Sequence, residues 1–374
     1  MNKILVKKVE NRKQLRQFIN LEWQINKNDP HWVPHLLIDR LKILDKNKNP
    51  FYQHAESEFF LAYKNDQVSG RIAAITNSRH NEFHQDNIGF FGFLEGIDDP
   101  DVFRALLDTA QDWIKHKGKD AIIGPMNPST NDEIGFLIDG FDSPPFFMMT
   151  HNPPYYKRLM EQLKYEKIKD VYAYYADRNT IIISDKLKRI VKTTQSKLNI
   201  KLRTVNLANF NDELARIRKI YNNAWARNWG FVPMTPAEFD FIANDFKKIL
   251  DPNLVLIAEI DNEPIGFSLA LPNYNEVFNK IPDGKLFPVG WLKFLLNRKK
   301  IKTIRVITLG VIDKYQQSGI GGIFYLETFE RGIAAGYNAA EFSWVLEDNE
   351  LMNRAVKLLG GELYKTYRIY GKHI

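Results

Sequence analysis

Residues 315–329, "YQQSGIGGIFYLETF", combine types and spacing that suit anion binding. Gly319 and Gly321 stand one residue apart, with Gly322 directly behind, after the apolar run "RVITLGV" and before an amphipathic stretch. Strand, glycine loop, helix is the order in which backbone N–H groups and a helix N-terminus converge on a phosphate. A glycine lets the backbone approach where a Cβ would block a pyrophosphate. The segment fits neither G-x-G-x-x-G nor the P-loop, since no G-K-[ST] follows. On its own it is equally a helix start tucked under a neighbour.

Other reactive groupings are weaker. His80 and His84, and His31 and His35, have the i, i+4 spacing of helical metal ligands. "HNEFH" lacks a glutamate directly after its first histidine, and Pro34 interrupts the helix that the other pair needs. With no third ligand in view they read as solvated loop histidines, and no metal is expected. The 374 residues contain no cysteine, which removes disulfides, thiolate metal sites and a cysteine nucleophile, and fits a reducing cytoplasm. A formal charge of +7 admits a nucleotide cofactor, an anionic membrane surface or a nucleic acid. No nucleic-acid reading motif is present, so that class is disfavoured. No segment approaches a membrane span, and the N-terminal residues lack the apolar core of a signal peptide.

What must position the glycine loop is an internal repeat. "LAYKNDQVSGRIAAI" (61–75) matches "IAEIDNEPIGFSLAL" (257–271), with Ala62 on Ala258 and Gly70 on Gly266, a constant offset of 196 residues. "LKYEKIKDVYAYY" (163–175) matches "LGGELYKTYRIYG" (359–371) at the same offset, Glu166 on Glu362 and Tyr174 on Tyr370. Each matched hairpin reads as strand, polar turn, strand. The first half predicts strands at 4–9, 88–94 and 121–124 and helices at 12–26, 100–117 and 154–163. The second predicts strands at 201–205, 305–311 and 340–346 and helices at 212–227, 319–335 and 350–359. This alternation argues an α/β or α+β layered fold. The expected division is 1–177 and 178–374, joined by a linker over 176–199 with a helix started by Ser184 as N-cap. The first half carries a turn-rich segment, 125–154, and the second an insertion at 273–302.

"LGVIDKYQQSGIGG" resembles the acyl-CoA-binding motif of the GNAT acyltransferase superfamily, Gln/Arg-x-x-Gly-x-Gly/Ala after the fourth strand. Gln316, Gly319 and Gly321 stand at its defining positions. Asn349 matches the asparagine that starts a later helix and Gly360 the glycine before the last strand. The resemblance implies two tandem GNAT-like domains, each a mixed, mostly antiparallel sheet flanked by helices. It implies a donor, acetyl-CoA or a longer acyl-CoA, held by Leu309, Val311, Gln316, Gln317, Ser318, Gly319, Ile320, Gly321, Gly322 and Asn349. Val311 N–H would polarise the acyl carbonyl while an amine attacks it. The first copy has Glu95, Asp98 and Asp99 at the loop, which repel a pyrophosphate. They read as a helix start, with Asp at the N-cap and Pro100 at N1, so the first domain is expected to bind no cofactor and to be a structural or acceptor-binding partner.

The family's acid and base positions hold Trp344 and Val356, which transfer no protons. Glu341 and Tyr325 are the replacement candidates carried forward, ahead of Glu347 and Tyr315. Trp225, Trp229 and Phe231, with Trp291 and Trp344, are the expected apolar wall of an acceptor site. The insert "KLFPVGWLKFLLNRKKIK" (285–302) joins apolar bulk to basic residues without an acid. It is compatible with an interfacial segment or an acyl-tunnel lip, and equally with a core-packing helix. The reading is a cytoplasmic N-acyltransferase acting on an amine, with contact at the inner membrane and a lipid or sphingoid-type acceptor both open to it. Its rival is a non-catalytic acyl-CoA-binding or sensing protein, favoured by Trp344 and Val356.

Overall fold

The computed structural model describes residues 4–181 and 183–374. Residues 1–3 and Ile182, the latter inside the expected linker, lie outside it. The N-terminal half runs β1 (Ile4–Lys8), α1 (Arg12–Asn26), α2 (Leu37–Ile43), β2 (Ala55–Lys64), β3 (Gln67–Asn77), α3 (Ser78–His84), β4 (Ile88–Gly96) and α4 (Pro100–His116). It continues with β5 (Ala121–Gly124), β6 (Met126–Asn127), β7 (Glu133–Ile134), β8 (Phe136–Asp139), α5 (Tyr155–Gln162) and β9 (Glu166–Asp177). The C-terminal half runs α6 (Asp185–Leu198), β10 (Lys201–Thr204), α7 (Phe210–Ala224), α8 (Pro236–Ile249), β11 (Val255–Ile260), β12 (Glu263–Pro272), α9 (Asn275–Phe278) and α10 (Gly290–Asn297). Then follow β13 (Thr303–Val311), α11 (Ile320–Ala334), β14 (Ala339–Leu346), α12 (Glu350–Leu358) and β15 (Glu362–His373).

These elements form two compact units that do not follow a single cut at 177/178. Among the described residues the N-terminal unit holds 4–171, 275–297 and 365–374, and the C-terminal unit holds 172–181, 183–274 and 298–364. Thus most of the insertion, and the last strand, leave the half of the sequence that encodes them. In the N-terminal unit the strand order is β1-β2-β3-β4-β5-β15, antiparallel except for the parallel β4–β5 pair. In the C-terminal unit it is β10-β11-β12-β13-β14-β9, with parallel β13–β14 and antiparallel pairs from β10 to β13. Each sheet carries helices and an apolar core, Phe91, Phe103, Leu106 and Tyr156 in one unit and Ile320, Ile323 and Phe324 in the other.

Local chemistry sets the helix starts. Asp99 caps α4 by accepting from Asp101 N–H, with proline at the first turn. Ser184 caps α6 through Leu187 N–H. Two helices that periodicity did not single out, α3 and α8, have side-chain caps too: Asn77 accepts from His80 N–H, and Thr235 with Glu238 forms a capping box. His80 is therefore not a solvated loop residue. It is 5% exposed on α3, its ring 4.4 Å from His84, and burial holds its pKa down at about 4.

Candidate functional site

In the C-terminal unit the glycine loop sits between the end of β13 and the N-terminus of α11. Gln316, Ser318 and Gly322 donate their backbone N–H groups within the loop, to the carbonyls of Asp313, Tyr315 and Gly319. The first N–H groups of α11, at Ile320 and Gly321, have no acceptor inside the helix by construction. Gly319 is left-handed at φ +87°, and a Cβ there would lie 3.3 Å from Thr194 Oγ1 of α6. Gly322 also faces α6, through Leu187. Gly321 differs: a Cβ there meets nothing within 4 Å. The three glycines split accordingly, two serving the packing of α6 on α11 and one keeping the space over the loop clear. Gln316 and Gln317 are exposed, Gln316 donating to Asp313 Oδ1 at 3.0 Å. Ser318 Oγ turns back to Tyr315 O, and buried Ile320 anchors the helix. Asn349 caps α12 by accepting from Met352 N–H at 3.1 Å.

The strand leading into the loop opens beside it. β13 pairs with β14 only from Thr303–Ala339 to Val306–Phe342, although both strands continue. Its pairing with β12 shifts by one between Thr308–Leu269 and Val306–Ala270, leaving Ile307 as the extra residue of a bulge. Ile312 N–H donates to Ile265 O on β12. By antiparallel alternation the N–H groups of Leu309 and Val311 therefore point away from β12, toward the side from which β14 has parted. Their side chains pack with α11. A small cavity, partly open to solvent, lies along the same helix, walled by Ile304, Val306, Leu309, Tyr325, Phe329 and Phe342 among others.

The two catalytic candidates are not brought together. Tyr325 is a wall of that cavity; its hydroxyl donates to Met352 Sδ at 2.6 Å, and burial raises its pKa above the usual phenol range. Ala340 and Phe342 of β14 line the cavity, so Glu341 between them points to the opposite face. There its carboxylate, 0% exposed, accepts from Ser343 Oγ at 2.6 Å and from Tyr364, with Arg305 Nε 3.6 Å away. Trp344 stacks under the Arg305 guanidinium at 4.9 Å. Val356 is fully buried core.

The aromatic wall is partly assembled. Trp225, at the end of α7, lies on β13 so closely that a Cβ on Gly310 would fall 2.1 Å from its ring. Tyr221 stacks on Trp225 at 5.0 Å, and Phe267 and buried Phe231 complete the cluster. Trp229 is half-buried in the turn that follows. Trp291 departs from the grouping: it belongs to the N-terminal unit, 43% exposed on α10, its indole N–H turned to Pro288 O. Phe294, on the inner side of the same helix, stacks on Phe278 at 6.4 Å.

The N-terminal unit has the same opening, but it is filled. β4 and β5 pair only from Ile88–Ala121 to Phe90–Ile123. A Cβ on Gly92 would lie 1.8 Å from Met126 O, so the β6 backbone occupies the gap. Asn127 Oδ1 accepts from Phe93 N–H at 2.6 Å. Gly96, which by register stands where Val311 stands, donates its N–H to Tyr156 OH at 3.0 Å. At the loop position Asp99 is the helix cap and an ion-pair partner of Lys64, while Asp98 pairs with Arg158.

Sequence reading missed a cluster beneath this plug. Arg71 Nη2 donates to Glu22 Oε2 at 2.9 Å, and Arg40 Nη2 to Glu133 Oε2 at 2.9 Å. His35, expected in solvent, holds Glu22 Oε1 at 3.0 Å and receives Arg40 Nη2 on Nε2 at 2.6 Å. Burial would raise both carboxyls, but His35 and the arginines hold Glu22 far below the ordinary range, and Arg40 and His35 hold Glu133 at about 2. Glu95 goes the other way. Burial lifts it to about 7, against the pull of Arg71 at 3.8 Å and a 2.5 Å hydrogen bond from Tyr156. The cluster lines a small cavity, partly open to solvent, with Trp32, Asn127, Thr150 and His151 in its wall. No spacing rule could have found it, because its members come from α1, α2, β3, β4, β7 and the segment between α1 and α2.

No family model matches the chain. Over 99% of its length, and 95% of the relative's, it is 38% identical to Protein YghO of Escherichia coli (strain K12). It is 37% identical to the bacterial ceramide synthase of Caulobacter vibrioides, over 96% of this chain and 94% of that one. Among solved structures it resembles the tandem GNAT protein of the clavulanic acid biosynthesis pathway, with TM-score 0.58 and 10% identity over 99% of this chain and 98% of that one. The last likeness is one of fold.

Proposed function

Because this chain belongs to one family with YghO and the Caulobacter ceramide synthase and shares the fold of tandem GNAT proteins, we propose that it transfers an acyl group from a CoA thioester to an amine. The observation that carries the reading is the open loop: Gly321 faces empty space, and Leu309 and Val311 point their N–H groups into the gap left by β14. Ile320 and Gly321 N–H would hold the pyrophosphate. Leu309 and Val311 N–H would hold the amide-bearing arm and the acyl carbonyl, polarising the latter for attack. The filled opening of the N-terminal unit supports one donor per chain. A calorimetric titration with acetyl-CoA tests this; a stoichiometry of two, or no binding, contradicts it.

The acceptor would meet the face of β13 and β14 that carries Trp225, Phe267 and Glu341. Glu341 is the proton-accepting candidate on that face, and Tyr325, on the other, is assigned to the cavity wall. The relative named ceramide synthase makes a lipid amine, such as a sphingoid base, the first acceptor to try, and a long-chain acyl-CoA the first donor. An exposed apolar surface favours lipid work as well. Around α10, Phe287 is 74% and Leu296 61% exposed, with Val289, Trp291, Leu292 and Leu295 beside them. Within the same unit Lys285 and Lys293 stand among these residues with no acidic residue between them, a pattern suited to an anionic bilayer surface. No described helix is long and apolar enough to cross a membrane.

A second reading, binding without turnover, is favoured by Trp344 and Val356 at the family's acid and base positions. Thiol release on adding an amine panel to the acyl-CoA complex decides between the two.

A further inference from the structure

The charged cavity of the N-terminal unit is not used by acyl transfer at the glycine loop. Its two guanidiniums are already matched, Arg71 with Glu22 and Arg40 with Glu133, each at 2.9 Å. Arg71 also donates to the α1 carbonyls of Phe18 and Ile19. Arg40 Nη2 also lies 2.6 Å from His35 Nε2, and His35 Nδ1 lies 3.0 Å from Glu22 Oε1; against burial and Arg40, which lower it, Glu22 and Glu133 raise the ring's pKa. One carboxylate is left over. Glu95 Oε2 accepts from Tyr156, and its Oε1 stands 3.8 Å from Arg71, beyond hydrogen-bond reach.

A second acceptor stands in the same wall. The His151 side chain is 2% exposed, and its Nε2 is held 2.8 Å from Asp29 Oδ2. Burial keeps the ring's pKa below the ordinary value despite Asp29, which is itself held low by His151 and the His31 N–H against its own burial. A neutral ring donating to an ionised Asp29 leaves Nδ1 as a bare lone pair, and Nδ1 has no partner among the described residues. A buried acceptor left unmatched costs free energy unless a ligand or water supplies a donor.

From this we infer that the cavity lined by Glu95, Glu133 and His151 is a binding site for a primary ammonium with a neighbouring hydroxyl, an amino alcohol. The ammonium would meet Glu95, the carboxylate with no guanidinium within hydrogen-bond distance, and a second donor would meet His151 Nδ1. Trp32 and Phe93 offer apolar wall to the attached carbon. This goes beyond the acyl-transfer reading and needs no CoA, so either can fail alone.

The groups facing Glu95 are Arg71 from β3, Glu22 from α1, Arg40 from α2 and Tyr155 and Tyr156 from α5. Both tyrosines stay neutral, since burial and Glu95 raise them far above neutrality, while Glu22, held low, and Arg40, held high, keep their charge through the neutral range. Binding of a cation near pH 7 should therefore ionise Glu95 and release about half a proton. The test uses the full chain without CoA, with 2-amino-1,3-propanediol as probe and glycerol as its amine-free counterpart. Calorimetry in buffers of different ionisation enthalpy should show binding of the amine alone, with proton release. Glu95→Gln should weaken amine binding at least tenfold and abolish the proton release, while acetyl-CoA affinity stays unchanged. Equal binding of amine and glycerol, no binding of either, or an amine affinity unaltered in Glu95→Gln overturns the inference. If that variant does not fold, the wild-type comparison of the two probes still decides.

Discussion

Glu95 and Gly310 hold the same register position in the two units. Glu95 lies opposite Arg71 on β3, and Gly310 lies opposite Phe267 on β12. Arg71 and Phe267 are themselves related by the 196-residue offset of the repeat. At one site a buried carboxyl meets a guanidinium. At the other the missing side chain lets Trp225 press onto the strand, where any Cβ would collide with its ring. One strand position thus carries opposite chemistry in the two copies, a titratable cavity in one and an aromatic wall in the other.

The Glu95 carboxyl makes stability depend on pH. Its pKa is raised from the ordinary 4.5 to about 7, so folded and unfolded chains are both protonated well below 4.5. Between about pH 4.5 and 7 the unfolded chain loses the proton first, and stability falls as pH rises, by at most about 3 kcal/mol. Glu133, held at about 2, works in the other direction: its contribution is present above 4.5 and lost as pH falls toward 2. Melting temperatures of Glu95→Gln across pH 4.5–8 should lack the wild-type decline. An unchanged slope would remove Glu95 as its source.

Gly321→Leu should fold and fail to bind CoA, because its side chain enters space that no protein atom occupies. Gly319→Ala is a different experiment. The φ of +87° strains any side chain there, at about 1 kcal/mol or more, so a lower melting temperature should accompany any loss of binding. Calorimetric CoA titration beside thermal melts of both variants checks this. Wild-type CoA affinity in folded Gly321→Leu would refute the loop assignment.

Removing the Glu341 carboxylate takes away the buried anion 3.6 Å from Arg305 Nε, and both side chains are at most 2% exposed. Glu341→Ala should therefore cost about 3–5 kcal/mol of stability. If Glu341 also takes the amine proton, Glu341→Gln should lower kcat at least a hundredfold while CoA binding is retained, and the loss should not be recovered at lower temperature. A variant with normal turnover would make the residue structural only.

Charging the exposed side of α10, by Leu295→Glu with Leu296→Glu, should leave the melting temperature within about 1 °C of wild type, since neither side chain packs inside. Binding to phosphatidylglycerol vesicles should fall, and wild-type binding should weaken as salt rises. Activity should fall more for longer acyl chains if the patch meets substrate, by about 0.8 kcal/mol for each methylene buried there. Phe294→Ala is the contrast: it opens the stack on Phe278 and should lower stability for every substrate alike. Unchanged vesicle binding in the double variant would end the interfacial reading.

The parts legible in the sequence were those set by local rules. The hairpins declared themselves by alternation and by glycines at matching offsets, and Asp99 and Ser184 by their capping positions. The loop was legible because strand, glycines and helix are consecutive. What stayed hidden was non-local. The passage of 275–297 and 365–374 into the N-terminal unit leaves no trace in spacing or composition. The pair Glu22–Arg71 spans 49 residues and Arg40–Glu133 spans 93, so nothing short-range links them. His35 looked solvated because Pro34 rules out a helix there, yet a loop can bring a histidine onto a buried carboxylate as well as a helix can. Tyr325 and Glu341 seemed equivalent beside the loop until strand alternation put them on opposite faces.

The most direct test of acyl transfer is an amide-bond assay by mass spectrometry, run with free-thiol detection on the same sample. The full chain is mixed with acyl-CoA donors of short and long chain and with a panel of amines that includes a sphingoid base. The account predicts CoA thiol released only when an amine is present, in one-to-one ratio with the N-acyl product, and no release in Gly321→Leu. Tight CoA binding with no amide from any amine in the panel would contradict transfer and leave the chain an acyl-CoA-binding protein.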